Sequence, residues 1–317
     1  MKKQVRKMTN RTAGYIFFYN LIMVAVMFGA VAIRTIAIMA GAGSEQAADR
    51  AVGAFGQNMG SFLGILSIAG VCGGLLFLAI ASRRTGLVRE AFRSSRKMEA
   101  GNFIRIFCVF MACQTIFTVA ALLAELVLNP FGLTLKNAAE SASAVSGDLP
   151  MFLYASLIGP VAEELVFRGF VLRRLLGGGK GFAIVLSAVL FGAMHGNFLQ
   201  GTFAVGAGLV FGYVAVEYSI GWSILIHVLN NLVFSDLLGR LAGTLPKTAG
   251  AVLEYGVPGF FFLAACVILV KEREKIVSWW RRNRPPRRYW LWAFTTFWML
   301  LFLIMETVVA LEGVSRL

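Results

Sequence analysis

Long apolar runs separated by short polar segments make up most of this chain. Nine of these runs approach the ~20 residues that an α-helix needs to cross a ~30 Å hydrocarbon core. They lie near residues 15–38, 61–81, 104–128, 150–172, 182–199, 202–219, 222–238, 251–270 and 290–310. The pattern predicts an all-α fold, a polytopic integral membrane helical bundle of about nine transmembrane helices, with a range of eight to ten.

The composition agrees with a membrane protein. Of the 317 residues, 58% are hydrophobic and 15% are charged, and the mean hydropathy is +0.75. These values exclude a soluble fold, a disordered chain and a disulfide scaffold. The four cysteines lie inside predicted spans without C-x-x-C spacing, so we interpret them as small core side chains.

The net charge of +14 reflects membrane topology rather than a nucleic-acid partner. Most of the Lys and Arg residues fall in four clusters, at residues 2–11, 83–105, 173–180 and 271–288. With a cytoplasmic N-terminus, every cluster faces the cytoplasm, which is the positive-inside pattern. We therefore expect contact with membrane lipids and no binding of nucleic acid.

The fourth span carries three charged side chains, Glu163, Glu164 and Arg168, in an apolar helix. A charge near the bilayer centre costs roughly 2.5–3.5 kcal/mol on insertion scales, so such residues indicate function. Glu164 and Arg168 are four residues apart and can pair on one helix face. Glu163 lies about 100° round the helix and is free for proton transfer or for a structural bond to another helix.

Both histidines of the chain also lie in apolar spans, at His195 and His227. His227 and Asn231 are four residues apart, so in a helix their side chains can be directed to one point. Two interpretations stay open from the residues themselves: these groups join the Glu163 helix in a reactive site, or they make interhelical hydrogen bonds.

Three ordered motifs make the first interpretation specific. Glu163-Glu164 with Arg168, Phe191 with His195, and His227 with Asn231 resemble the motifs of the CPBP (CAAX protease and bacteriocin-processing, or Abi) family of intramembrane endopeptidases, which includes the Ras-converting-type CAAX prenyl endopeptidases. The resemblance implies a catalytic four-helix core at 150–238. Transmembrane helices and loops at 1–149 precede this core, and helices with a basic cytoplasmic loop follow it at 239–317.

The resemblance also implies a role for each motif residue. Glu163 is expected to activate a water molecule with the help of His195, while Glu164 and Arg168 position the helix. His227 and Asn231 are expected to stabilise the oxyanion. If the enzyme uses a metal, Glu163, His195 and His227 are the expected ligands of a Zn²⁺ ion; a metal-free glutamate and histidine mechanism is the equal alternative.

The expected substrate is a peptide or a membrane-anchored protein, and the short cytoplasmic loops favour a prokaryotic cell membrane. Two other functions are retained as alternatives: a proton-coupled transporter, because intramembrane Glu and His also build proton relays, and a catalytically silent immunity or scaffold member of the same family. Five further polar residues in or near spans are interpreted as interface or interhelical contacts: Arg34, Glu125, Glu217, Asp236 and Glu306.

Overall fold

The computed structural model describes residues 1–83, 90–143 and 147–317, and most of this part of the chain is helical. Cluster residues Arg84 and Arg89 lie outside the described residues. The first five helices are α1 (Lys2–Gly41), α2 (Glu45–Gln57), α3 (Met59–Ser82), α4 (Ala100–Leu128) and α5 (Lys136–Ser143). The next four are α6 (Leu149–Gly178), α7 (Lys180–Ala193), α8 (Phe198–Glu217) and α9 (Ile220–Thr244). The last four are α10 (Lys247–Lys271), α11 (Arg273–Asn283), α12 (Arg288–Phe294) and α13 (Phe297–Leu311).

The predicted all-α polytopic bundle is confirmed. Among the described residues, seven helices are long and apolar enough to cross a membrane, or eight if the bent pair α12–α13 is one span. Two of the nine predicted spans therefore differ from expectation. The last is bent by 70° at a break between α12 and α13, where the Thr295 and Thr296 hydroxyls donate back to the carbonyls of Leu291 and Ala293.

The predicted span 182–199 is the 14-residue helix α7, which is too short to cross the bilayer. It ends at Ala193 because Gly196 adopts a left-handed conformation with φ of 56°, which glycine accepts at little cost. Asn197 then caps α8, since its Oδ1 accepts the backbone N–H groups of Leu199 and Gln200. His195 consequently lies in the short connection between two helices.

A two-residue antiparallel strand pair adds to the helices, with β1 (Leu133–Thr134) paired to β2 (Ser315–Arg316). The pair ties the end of the chain to the α4–α5 connection. Hydrophobicity alone did not predict it.

Two helices contain π-helical turns. In α6 these cover Tyr154–Ile158 and Leu165–Val171, on either side of an α-helical turn that carries the two glutamates. Pro160 has no N–H for the carbonyl four residues earlier, and this favours the irregular turn before it. In α9 the π-helical stretch is Asn230–Leu237, and it packs against the first π-helical turn of α6.

The helices α7 and α8 pack closely through glycines. A Cβ atom added at Gly192 would lie 2.7 Å from the Gly201 carbonyl oxygen, and one added at Gly201 would lie 2.9 Å from the Gly192 oxygen. Small residues let membrane helices approach at this distance. This hairpin brings α8 against α9 and α4.

The four basic clusters meet at one end of the bundle. The Arg105 guanidinium of α4 pairs with Glu272 at 2.9 Å, and Lys180 pairs with Glu217 at 2.7 Å beside Trp279. A Cβ atom added at Gly177 would contact Met8 of the first cluster. The hydrogen bond from Lys275 lowers the pKa of the Glu272 carboxyl. The common basic end agrees with the predicted clustering of positive charge on one side of the membrane.

The glycine contact makes a testable prediction. Gly192→Val forces a branched side chain into the α7–α8 contact, and overpacking of this kind costs about 1–3 kcal/mol or more. We expect a lower midpoint of thermal unfolding in detergent. Gly259→Val is the matched control, because a Cβ atom at Gly259 has no neighbour within 4 Å. Equal loss in the two variants would contradict the packing argument.

Candidate active site

A buried carboxylate joins the two helices that carry the candidate residues. Glu164 Oε1 lies 3.1 Å from Nη1 of Arg168 on the same helix and 3.2 Å from Nδ1 of His227 on α9. Glu164 and Arg168 are completely inaccessible to solvent. The predicted i, i+4 pairing is therefore present, and the same carboxylate also accepts the His227 N–H.

Aromatic rings surround the cations of this cluster. The Arg168 guanidinium lies 4.4 Å from the centre of the Phe191 ring and 5.0 Å from that of Phe211. The Arg168 nitrogens make no geometrically good hydrogen bond within the described residues, so the ion pair and the two ring faces stabilise the charge. The His227 ring stacks on Phe211 with centroids 4.7 Å apart.

Glu163 occupies a different environment from Glu164. Its side chain is 25% exposed, and its Oε2 lies 3.7 Å from Nε2 of His227. The two adjacent glutamates thus meet opposite nitrogens of one imidazole. Glu163 lacks the Arg168 contact, as the helical spacing predicts.

One cavity of about 80 Å³ brings the candidate catalytic residues together. One water molecule needs roughly 10–15 Å³ of such space, so the cavity has room for several water molecules. Polar and apolar side chains share its wall; the former are Glu163, His195, Gln200, His227, Asn230 and Asn231, and the latter include Phe110, Phe191, Phe203 and Phe211. Glu164 and Arg168 lie behind this wall, where Glu164 contacts His227 and Arg168 contacts the Phe191 and Phe211 rings.

The position of His195 depends on the break after α7. Its Nδ1 lies 2.8 Å from the Phe191 carbonyl oxygen, which can only accept, so Nδ1 carries the proton. In the neutral ring Nε2 is then an acceptor. The left-handed conformation of Gly196 separates this connection from α8, and His195 lines the same cavity as His227.

Asn231 differs from the expected geometry. It lies in the π-helical part of α9, and its Nδ2 donates to the Ala155 carbonyl of α6 at 2.9 Å. One of its two N–H groups is therefore committed to the protein. Because Nδ2 carries two hydrogens, the other remains for the cavity that Asn231 lines.

The predicted metal ligands do not form a metal site in this arrangement. Within residues 1–83, 90–143 and 147–317, no group of three His, Cys, Asp or Glu side chains is placed to hold one ion. Glu163, His195 and His227 share the cavity without meeting this condition. The reaction proposed for this site therefore uses no metal.

The other intramembrane polar residues make contacts elsewhere. Glu125 accepts from Thr134 and from the Leu135 N–H, and Glu217 accepts from Lys180 and Trp279. Asp236 pairs with Arg240, Glu306 accepts from Asn20 at 2.5 Å, and Arg34 is exposed. None of the five lines the cavity in the described part of the chain, so their interpretation as interface or interhelical contacts holds.

Comparison with known protein families finds one similar segment in this chain. Residues 145–233 match the family described as Type II CAAX prenyl endopeptidase Rce1-like. The chain carries a CPBP-family protease domain. The match favours the protease over the transporter, and it includes every residue of the three motifs. No curated protein and no solved structure shows significant similarity to the chain.

The CPBP domain also depends on residues that the motifs do not include. Gln114 of α4 donates to Asn230, and Asn230 donates to Asn231, so two amides extend the polar network beyond the predicted set. The sequence signal for these two residues is the presence of neutral amides in apolar spans. A Cβ atom added at Gly196 would lie 2.8 Å from Val309 Cγ1, so α13 covers the His195 connection.

The buried ion pair of the CPBP domain makes a second prediction. Arg168→Met leaves the Glu164 charge without its partner, and breaking a buried pair costs about 3–5 kcal/mol. Thermal unfolding in detergent should show this loss. Combining Arg168→Met with Glu164→Gln should restore much of the stability, because Gln keeps an acceptor for His227 without a charge. The control is the exposed Arg34→Met. A double variant no more stable than Arg168→Met would contradict the charge-balance argument.

Proposed function

We propose that the protein hydrolyses a peptide bond of a membrane-associated protein or peptide, with Glu163 and His195 activating water and with His227 and Asn231 stabilising the oxyanion. The observation that supports this proposal is the single cavity lined by all four side chains, in a chain whose matching segment is a protease domain. The basic end of the bundle is proposed to face the cytoplasm and anionic lipid headgroups.

The proposed oxyanion role requires hydrogens on both ring nitrogens of His227, because Nδ1 already donates to Glu164. In the form with both glutamates ionised, Arg168 carries the only permanent positive charge of this cluster. A second positive charge on His227 makes the group neutral, which a low-dielectric interior strongly favours. Its stacking on the Phe211 face stabilises the same protonated form. Nε2 then has a proton to donate into the cavity.

The two histidines therefore have different roles. His195 is held as the Nδ1–H tautomer by the Phe191 carbonyl, so its Nε2 accepts a hydrogen bond from the water. His227 is anchored through Nδ1 to Glu164, so its Nε2–H is available to a developing negative charge. In this assignment each of the four ring nitrogens has one hydrogen-bond partner.

The reaction follows from these positions. Glu163 takes a proton from the water as the water oxygen bonds to the carbonyl carbon, and the carbonyl electrons move onto oxygen. The His227 Nε2–H and the second Asn231 N–H stabilise that oxyanion. When the C–N bond breaks, Glu163 returns the proton to the leaving amine. Glu164 and Arg168 act only through the position and charge of His227.

The family description names CAAX prenyl endopeptidases as the class of the matching segment. The first substrates to test are therefore a quenched farnesylated peptide ending in Cys-aliphatic-aliphatic-X and unprenylated quenched peptides of the same sequence. Absence of cleavage in both, together with intact folding, would favour the silent immunity or scaffold alternative.

Glu163→Gln is the direct test of the catalytic base. A general base typically contributes 10²–10⁴-fold to the rate, so we expect kcat to fall at least about a hundredfold in this variant, with unchanged thermal stability. Glu254→Gln is the matched control, because Glu254 is an exposed carboxylate of another span. Cleavage by Glu163→Gln at the wild-type rate would overturn the assignment.

The arrangement of the site also predicts the response to chelators. Since no three-ligand group is found among the described residues, we expect purified protein to keep its rate after dialysis against a chelator, with less than one equivalent of transition metal by elemental analysis. Activity that disappears on dialysis and returns with Zn²⁺ alone would contradict this expectation and restore Glu163, His195 and His227 as candidate ligands.

A further inference from the structure

We propose that Gln114, on α4, is a positioning residue of the active site that holds the Asn231 carboxamide in place through Asn230. The inference rests on the proposed oxyanion role of Asn231. It adds a residue from outside the matched segment 145–233 to the functional site.

Three hydrogen bonds in series carry the inference. Gln114 Nε2 donates to Asn230 Oδ1 at 2.8 Å, and Asn230 Nδ2 donates to Asn231 Oδ1 at 2.9 Å. Asn231 Nδ2 donates to the Ala155 carbonyl at 2.9 Å. The relay thus runs from α4 through α9 to α6, and its last amide lines the cavity.

The Ala155 carbonyl determines the direction of the whole relay. A backbone carbonyl can only accept, so the nitrogen of Asn231 must face it and the oxygen of Asn231 must face Asn230. The same argument then directs the oxygen of Asn230 towards Gln114, which must present its nitrogen. Each amide therefore has one permitted orientation, although amide nitrogen and oxygen are similar in shape.

Burial makes the relay difficult to replace. Asn230 is 2% exposed, so its oxygen has no access to bulk water if Gln114 is lost. An unsatisfied buried acceptor is costly, and rotating the Asn230 amide does not relieve the cost, because Nδ2 would then lose its acceptor on Asn231 and face the apolar side chain that replaces Gln114. Gln114 thus holds Asn230, and through it Asn231, in the position in which Asn231 can donate to an oxyanion.

A double-mutant cycle tests the inference on the full-length protein in detergent, with the quenched farnesylated Cys-aliphatic-aliphatic-X peptide as probe. We expect Gln114→Leu to lower kcat roughly tenfold with KM within about twofold, as for other partners that orient an active group. Asn231→Ala should lose about 10²-fold in kcat, as for an oxyanion donor. In the Asn231→Ala background, Gln114→Leu should change kcat less than about twofold, because its effect passes through Asn231.

The neighbouring Thr115→Val is the matched control. Its hydroxyl makes a hydrogen bond of 3.4 Å to the Pro258 carbonyl of α10, so it is also a polar contact of α4 with another helix. This variant should keep wild-type kcat. Equal loss from Gln114→Leu in both backgrounds, or no loss in either, would overturn the inference. Full activity of Asn231→Ala would instead overturn the proposed oxyanion role itself.

Gln114→Glu keeps the test decisive if Gln114→Leu does not fold. A protonated Glu can donate to Asn230 as Gln does, whereas an ionised Glu can only accept and would repel the Asn230 oxygen. The rate of Gln114→Glu relative to wild type should therefore fall as pH rises and the new carboxyl ionises. A ratio that stays constant with pH, in folded protein, would contradict the positioning role.

Discussion

The Glu164 carboxylate, completely buried between two membrane helices, is the constraint on which the site depends. A charge in this position requires partners, and it obtains Arg168 from its own helix and His227 from α9. The interaction fixes the distance and rotation of α6 against α9. It also requires space for a guanidinium inside the bundle, which Gly208 provides: a Cβ atom there would lie 3.3 Å from Arg168 Nη2.

The division between the two glutamates follows from this constraint. Glu164 pairs with Arg168 and His227 away from solvent, while Glu163 faces the cavity with partial exposure. Two adjacent identical side chains thus acquire different chemistry from the helix rotation between them. The His227 imidazole contacts both glutamates, so it connects the buried cluster to the cavity.

Helical periodicity and the intramembrane charges were sufficient to predict the all-α bundle, the Glu164–Arg168 pair and the separate position of Glu163. The contact made by Asn231 could not be predicted, because a π-helical stretch begins at Asn230 and changes the angle between residues that an α-helix would align. The lengths of α7 and of the bent last span likewise depend on local capping and threonine hydrogen bonds, to which average hydropathy is insensitive.

The contact between the His195 connection and α13 joins two parts of the protein that are distant along the chain. Gly196 has no space for a side chain because Val309 lies against it, and residues 297–311 are far from the recognisable segment along the chain. The candidate site residue His195 and the helix that packs against its connection therefore come from different parts of the sequence. A boundary drawn at the edge of the family match would retain the histidine but remove the helix that packs against the connection in which it lies.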